Sequence, residues 1–306
     1  MPDDVALLVN AAAGRGRGAR AVDGVRSALT DAGLTVRVLA AGSRAEAERQ
    51  ARAAVAEGVL AVAALGGDGV AHAALQAVAG TATPLAVLPA GTGNDLAAAL
   101  RVPAEPVEAA RAVAADLLAG RTTRLDAART GDRWWSTVLC CGFDSAVTDR
   151  ANRLRRPRGP RRYDVAILAE LLHLRPRTVT LTVDGVPSRR EVTLVAVGNT
   201  PCYGGGLRIC PDADPADGLL DVVVVGPVGR LELVRTRPRL AAGTHVEHPA
   251  VTVLRGREVT LEGGTPAGAG LVTYADGEPV SPLPAASACV PGALTVVGAG
   301  PGVGTG

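Results

Sequence analysis

The stretch LAVAALGGDGVAHAALQAVAG, residues 60–80, decides how the chain is read. An apolar run of strand length meets Gly66, Gly67, Asp68 and Gly69, and a run of small helix-forming residues follows. A continuous apolar run fits a strand buried on both faces, the habit of a parallel sheet covered by helices. The flanking sequence keeps the same grammar. VALLVN (5–10) and TVRVLA (35–40) read as strands, and 18–33 as a helix closing at Gly33. Residues 43–58 read as a helix with Ser43 at its cap and Glu46 three residues on, a capping-box pattern. PLAVLP (84–89) is a fourth strand, DLAAAL (95–100) opens another helix, and 106–120 is the last of the series. Alternation through short connections predicts an α/β N-terminal domain with an open parallel sheet over 1–122.

From residue 123 the texture changes. Runs such as WWSTVLCCGF, RTVTLTVDG, REVTLVAVGN and LLDVVVVGP are rich in Val and Thr and punctuated by Gly, Pro and Asp. They predict a mainly antiparallel β C-terminal domain over 123–306, interrupted by one helical patch at 163–174. The last ~20 residues are expected to pack back on the N-terminal domain or to fray.

Composition bounds the function. The chain has 306 residues, 47% hydrophobic, 20% charged and 2% aromatic, so Ala, Val and Leu must build the core. A formal net charge of +2 carries no nucleic-acid footprint. All 32 basic residues are Arg, so any phosphate site works without a lysine ammonium. Five Cys without framework spacing suit a reducing compartment. The opening MPDDVALLVN reads as acidic and then a strand, not as a signal peptide. No apolar stretch reaches the roughly 20 residues of a membrane-spanning helix.

Three strands end in loops made for close backbone approach: NAAAGRGRG (10–18), GGDG (66–69) and PAGTGND (89–95). In an open parallel sheet ligands bind beyond the carboxyl ends of the strands. Glycine lets backbone N–H groups line an anion site, and helix N-termini add their dipoles. Asp68 fits a phosphate cradle if a divalent metal or water bridges it to the ligand. The blander reading makes these tight strand-to-helix turns with Asp68 as an N-cap.

GGDG (66–69) together with PAGTGNDLAAAL (89–100) resembles the diacylglycerol kinase catalytic domain family, shared with sphingosine and ceramide kinases, and most nearly its bacterial soluble members. The resemblance continues through VNAAAGRGRG (9–18), CGFDSAV (141–147), GNTPCYGGGLRICPDADPADGLLDVV (198–223) and ADGEPV (275–280). It implies an NAD kinase/diacylglycerol kinase-like fold, a lipid kinase activity and an active site in the cleft between the domains. Its cofactors would be ATP and Mg2+. It assigns the nucleotide to Asn10 through Gly14, to Gly66, Gly67, Asp68, Gly69 and His72, and to Gly91, Thr92, Gly93, Asn94 and Asp95. It assigns Mg2+ to the Asp217 carboxylate and the carbonyls of Asp214 and Leu219. Glu278 matches the proton acceptor, with Asp276 beside it and Asp68 supporting the phosphates. Read without the family, Glu278 is a hairpin-turn residue, while Asp217 reads equally as a metal ligand and as the Asp of an Asp-Gly turn. The chain departs from the pattern at Val70, at His72-Ala73 and at Ala41, where Ser43 is a substitute.

Other features are weaker. RANRLRRPRGPRR (150–162) carries seven Arg and reads either as a solvated loop or as an attraction to anionic headgroups. His245 and His248 make half a metal site and read better as loop or core residues. Cys140 and Cys141 read as core. Arg208 reads as a phosphate contact or part of a flexible turn. The expected partner is a lipid at the membrane surface, with no nucleic acid and with a homodimer as a further expectation. The expected location is cytoplasmic, peripheral at the inner membrane face. Two readings compete: a kinase of a soluble metabolite such as NAD, and a nucleotide-binding module without catalysis.

Overall fold

The computed structural model describes residues 3–10, 17–154, 156, 161–263 and 271–298. The chain divides into two compact units, 1–127 with 291–306, and 128–290. In the first unit β1 (Asp4–Asn10), α1 (Arg17–Asp31), β2 (Thr35–Ala41), α2 (Arg44–Ala56), β3 (Ala61–Gly66), α3 (Asp68–Val78), β4 (Leu85–Pro89), α4 (Asp95–Ala99) and α5 (Pro106–Leu118) follow one another. The strands pair in parallel in the order β2-β1-β3-β4. The apolar runs are buried because helices cover them: Leu7, Leu65 and Leu88 pack with Leu29, Ala110 and Val113. Ser43 caps α2 by accepting the Glu46 N–H at 3.3 Å, while Glu46 reaches past the cap to the Gly42 N–H at 2.8 Å.

The chain leaves this unit in β5 (Thr122–Thr130). The second unit holds β6 (Arg133–Trp135), β7 (Val138–Gly142), α6 (Phe143–Arg153), α7 (Arg161–Leu172), β8 (Arg177–Val183), β9 (Val186–Val192), β10 (Leu194–Gly198) and β11 (Leu220–Val225). It continues with α8 (Arg230–Arg235), α9 (Arg237–Ala242), a 3-10 turn (Thr244–Glu247), β12 (Val251–Gly256), β13 (Glu258–Gly263), β14 (Val272–Ala275), β15 (Glu278–Pro282) and the start of β16 (Ala285–Val297). One antiparallel sheet runs β12-β11-β10-β7-β14-β15. A second antiparallel set runs β9-β8-β13 and the first half of β16. Alternate residues of both sets meet in one core, with Leu139, Val195 and Val222 against Leu181, Val259 and Leu261. Trp135 is wholly buried there, its indole N–H donating to Thr130 Oγ1 at 2.9 Å.

The end of β16 belongs to the first unit. Val296 pairs with Leu85 of β4, and the Gly292 N–H donates to Asp126 Oδ1 at 2.8 Å. Thr123 Oγ1 donates to the Gly298 carbonyl at 2.7 Å.

Three helices of the second unit are absent from the sequence reading, each for a local reason. α6 starts directly where β7 stops. Gly142 turns the chain there at φ 99°, and a Cβ would meet the Thr193 carbonyl at 2.7 Å. Ser145 Oγ accepts the Gly142 N–H at 3.1 Å. CGFDS is therefore a strand end and a helix cap in five residues, too short for either period to register. α8 and α9 bury no residue, so they write no apolar stripe into the sequence.

Candidate active site

In the first unit the loops after β3 and β4 are joined to each other. A Cβ on Gly91 would lie 2.3 Å from the Gly67 Cα, and one on Gly67 would lie 3.1 Å from the Gly91 Cα. Both glycines are needed for this backbone contact. Gly93 admits a third approach, since its Cβ would fall 2.4 Å from Asp68 Oδ2. The Asp68 carboxyl crosses the junction and accepts the N–H of Asn94 at 3.0 Å and of Asp95 at 2.7 Å. Asp68 therefore does cap a helix, but α4 rather than its own α3, whose cap is Gly67 with no side-chain bond. Asn94 sits in the left-handed region at φ 58°. Its side chain staples the loop, accepting from the Gly91 N–H at 3.0 Å and donating to the Gly91 carbonyl at 3.1 Å.

Gly66, Gly67, Asp68 and Gly69 lie at the N-terminus of α3, whose first-turn N–H groups precede the first intrahelical bond. Thr92 is exposed in the loop after β4, and Asn10 is exposed at the end of β1. His72 is corrected: its ring is 1% exposed inside α3 and lies 3.3 Å from Gln76 Nε2. A ring buried this way is a packing group. The backbone N–H groups of Asn94 and Asp95 are committed to Asp68, so these residues hold the loop rather than offer donors there. Gly14 lies outside the described residues.

In the second unit Glu278 is the first residue of β15 and stands opposite Ala275 of β14. Asp276 and Gly277 make the two-residue turn with φ 52° and 79°, the mirror-image turn that Asp-Gly favours. α6 grips this hairpin from two positions on one face. The Tyr274 hydroxyl donates to Asp149 Oδ1 at 2.6 Å, and Asn152 Nδ2 donates to the Gly277 carbonyl at 3.1 Å. Burial, then the bond to Asp149, pushes the Tyr274 phenol up to about 12, with a smaller contribution from the Glu278 charge. Asp276 is corrected from catalytic to structural. Its buried carboxyl accepts the Ser136 N–H at 3.2 Å, the Thr137 N–H at 3.0 Å and the Thr137 hydroxyl.

With this geometry in place, comparison with known proteins is decisive. Residues 4–130 match the diacylglycerol kinase catalytic domain, and residues 137–298 match the YegS C-terminal NAD kinase beta sandwich-like domain. A diacylglycerol kinase of Mycobacterium tuberculosis (strain CDC 1551 / Oshkosh) is 43% identical over 220 residues, 70% of this chain and 69% of that one. The chain belongs to the diacylglycerol kinase family. A "probable lipid kinase YegS-like" protein of Stenotrophomonas maltophilia (strain K279a) is 31% identical over 233 residues, 68% of this chain and 67% of that one. A crystal structure of a Bacillus anthracis str. Sterne diacylglycerol kinase shares the fold, with TM-score 0.71 at 19% identity and 96% of each chain covered. As a family member the chain is a phosphotransferase of the lipid kinase class, and membership implies the use of ATP.

Asp217, the one side-chain ligand for magnesium that the family implies, has both carboxyl oxygens engaged within the protein. Asp217 Oδ1 accepts the Leu219 N–H at 2.9 Å, and Asp217 Oδ2 is ion-paired with Arg255. The Asp214 carbonyl, the atom the family implies as a ligand, accepts the Asp217 N–H at 3.4 Å, and Asp214 Oδ1 accepts the Ala216 N–H at 3.0 Å. The Arg255 guanidinium also meets buried Asp221 at 2.9 Å. Among the described residues no group of three His, Cys, Asp or Glu side chains is placed to hold a metal. His245 is buried with Nε2 3.0 Å from the Ile209 carbonyl, and burial lowers its pKa. His248 pairs with Glu232 at 3.0 Å. Cys140 and Cys141 are buried in β7, and burial pushes Cys141 up to about 12. Arg208 Nη2 donates to the Pro211 carbonyl at 3.2 Å.

Sequence reasoning named Asn94 as a nucleotide contact but not as the staple of its own loop, and in the second unit it missed Asp149 and Asn152 as the grip on the Glu278 hairpin. The spacing of Asp149 and Asn152, three apart on a helix face, is a signal, but only once α6 is recognised.

Proposed function

We propose that the chain transfers the γ-phosphoryl group of ATP to the hydroxyl of a membrane lipid, with diacylglycerol as the acceptor. The observation that carries the reading is the joined pair of glycine loops at the N-terminus of α3. Backbone N–H groups and the helix dipole meet there without a lysine. The choice of acceptor follows the name of the Mycobacterium tuberculosis relative, 43% identical to this chain.

Phosphoryl transfer asks a protein mainly for positioning and charge. Gly66 makes room for the Val70 side chain, and Gly67 for the backbone of Gly91, at the N-terminus of α3. Asp68 turns its carboxyl onto the first N–H groups of α4, which offset its charge. Asn10 is exposed at the end of β1 and Thr92 in the loop after β4. Glu278 takes the hydroxyl proton as the acceptor oxygen bonds to the γ-phosphorus and the bond to the ADP oxygen breaks. Mg2+ enters as part of the substrate, MgATP. The working place of such an enzyme is the cytoplasmic face of the membrane that holds its acceptor.

The test is a total lipid extract incubated with the protein and labelled ATP, read by mass spectrometry. The expected result is label in one lipid whose mass is that of diacylglycerol plus one phosphate. Label transferred to NAD would replace the reading with a metabolite kinase, and ATP binding without any labelled product would replace it with a binding module.

A further inference from the structure

Nine large hydrophobic side chains stand exposed among the described residues, and five of them lie on α7 and α8: Val165, Leu168, Leu172, Leu231 and Val234. Scattered exposed aliphatics need no explanation, but clustered ones do. At 100° per residue, Val165, Leu168 and Leu172 fall within about 60° of one another around α7. The opposite side of that helix is the packed one, where Ala166 with Tyr163 and Ile167 meets Val147 and Ala151 of α6. α7 is therefore covered on one side and apolar on the other. Leu231 and Val234 are one turn apart on α8, which buries none of its residues. Arg230 Nη2 donates to the Leu172 carbonyl at 2.7 Å, so the start of α8 is tied to the end of α7 and the two stripes belong to one region.

The rim is basic. Arg161, Arg175, Arg235, Arg237 and Arg239 are exposed around these helices. The acids of α7 and α8 are mostly occupied: Glu170 pairs with Arg150 and Glu232 with His248, which leaves Asp164. We propose that α7 and α8 form the surface by which this chain docks on an anionic lipid bilayer. Aliphatic side chains ringed by guanidinium groups match the acyl boundary and the phosphates above it. A second copy of the chain fits worse, because the two arginine rims would face each other. The proposal deepens the lipid-kinase reading and rests on it for its purpose.

The experiment compares wild type with the Leu168→Asp/Leu231→Asp double variant. Vesicles of phosphatidylcholine are used with and without phosphatidylglycerol. Wild type is expected to sediment with the anionic vesicles, less so as salt is raised, and the variant to bind about tenfold more weakly or worse. Both positions are exposed, so melting temperatures should agree. Turnover of diacylglycerol held in vesicles should fall in the variant, while turnover of a dispersed short-chain diacylglycerol stays equal. Undiminished vesicle binding by the variant would overturn the proposal. A wild-type dimer that the variant splits, with no vesicle binding by either, would also overturn it and assign the face to self-association. Lost vesicle binding in the variant, with no phosphorylation of either lipid by wild type, would uphold the docking surface and refute the kinase reading instead.

Discussion

The Asp-Gly of the β3–α3 loop and the Asp-Gly of the β14–β15 hairpin look alike in sequence and do opposite things. Asp68 reaches out of its own loop to the N–H groups of Asn94 and Asp95, and so joins two loops into one surface. Asp276 reaches back into the sheet, to Ser136 and Thr137, and fixes a turn. In the first case the glycines exist for contact between loops, since Gly67 and Gly91 touch through their backbones. In the second, Gly277 exists for its φ of 79°, with no atom near the place of a Cβ. A carboxyl beside glycine is thus a poor guide to chemistry, and what its oxygens accept from decides its role. Asp276 and Asp217 are thereby accounted for as turn residues.

The comparison can be broken at each of these points. The largest loss of stability should follow Asp276→Ala. It leaves three donors without their acceptor and puts Ala at φ 52°, for at least ~3 kcal/mol in urea unfolding. Asp276→Asn tolerates the turn and keeps one acceptor oxygen, so it should lose less. Equal stability of Asp276→Ala and wild type would return Asp276 to the list of catalytic candidates.

Gly91→Ala comes next. The added Cβ would sit 2.3 Å from the Gly67 Cα, which is backbone and must move. About 1–3 kcal/mol is the usual cost of such overpacking. Nucleotide affinity should fall with it, because the loop surface is pried open. A variant with wild-type melting and wild-type ATP affinity would mean that the two loops do not work as one.

Asp217→Ala should be the mildest change. Its partner Arg255 has a 46% exposed side chain and keeps Asp221, so roughly 0–1 kcal/mol is expected. Melting should respond to Mg2+ identically in variant and wild type. A Mg2+-dependent rise in melting that only wild type shows would restore Asp217 as a metal ligand.

The architecture was legible because buried parallel strands and their covering helices write long, unambiguous periods into residues 5–118. The β-rich texture after residue 123 was legible for the same reason, through Val- and Thr-rich runs. α6 was not, because Gly142 and Ser145 turn strand into helix within four residues. α8 and α9 were not, because a helix that buries nothing carries no stripe. At the site, the glycine loops and the Asp-Gly hairpin could be located from sequence. What could not be read was partnership across the chain: Asp68 with a loop 26 residues on, or Asp276 with Thr137 139 residues back. Only the folded backbone brings those donors to those oxygens. His72 was misassigned because motif position does not report burial, and its ring points into the packed side of α3.

In the proposed reaction the glycine loops hold the nucleotide while Glu278 takes the proton. Glu278→Gln tests it most directly, because Gln keeps the size and the hairpin but cannot serve as the base. Nucleotide titration and a vesicle kinase assay on both proteins make one paired measurement. ATP affinity should be unchanged, and turnover should fall by roughly 10²–10⁴-fold, in kcat and kcat/KM alike. Equal turnover in Glu278→Gln and wild type would contradict the account and remove Glu278 from the mechanism.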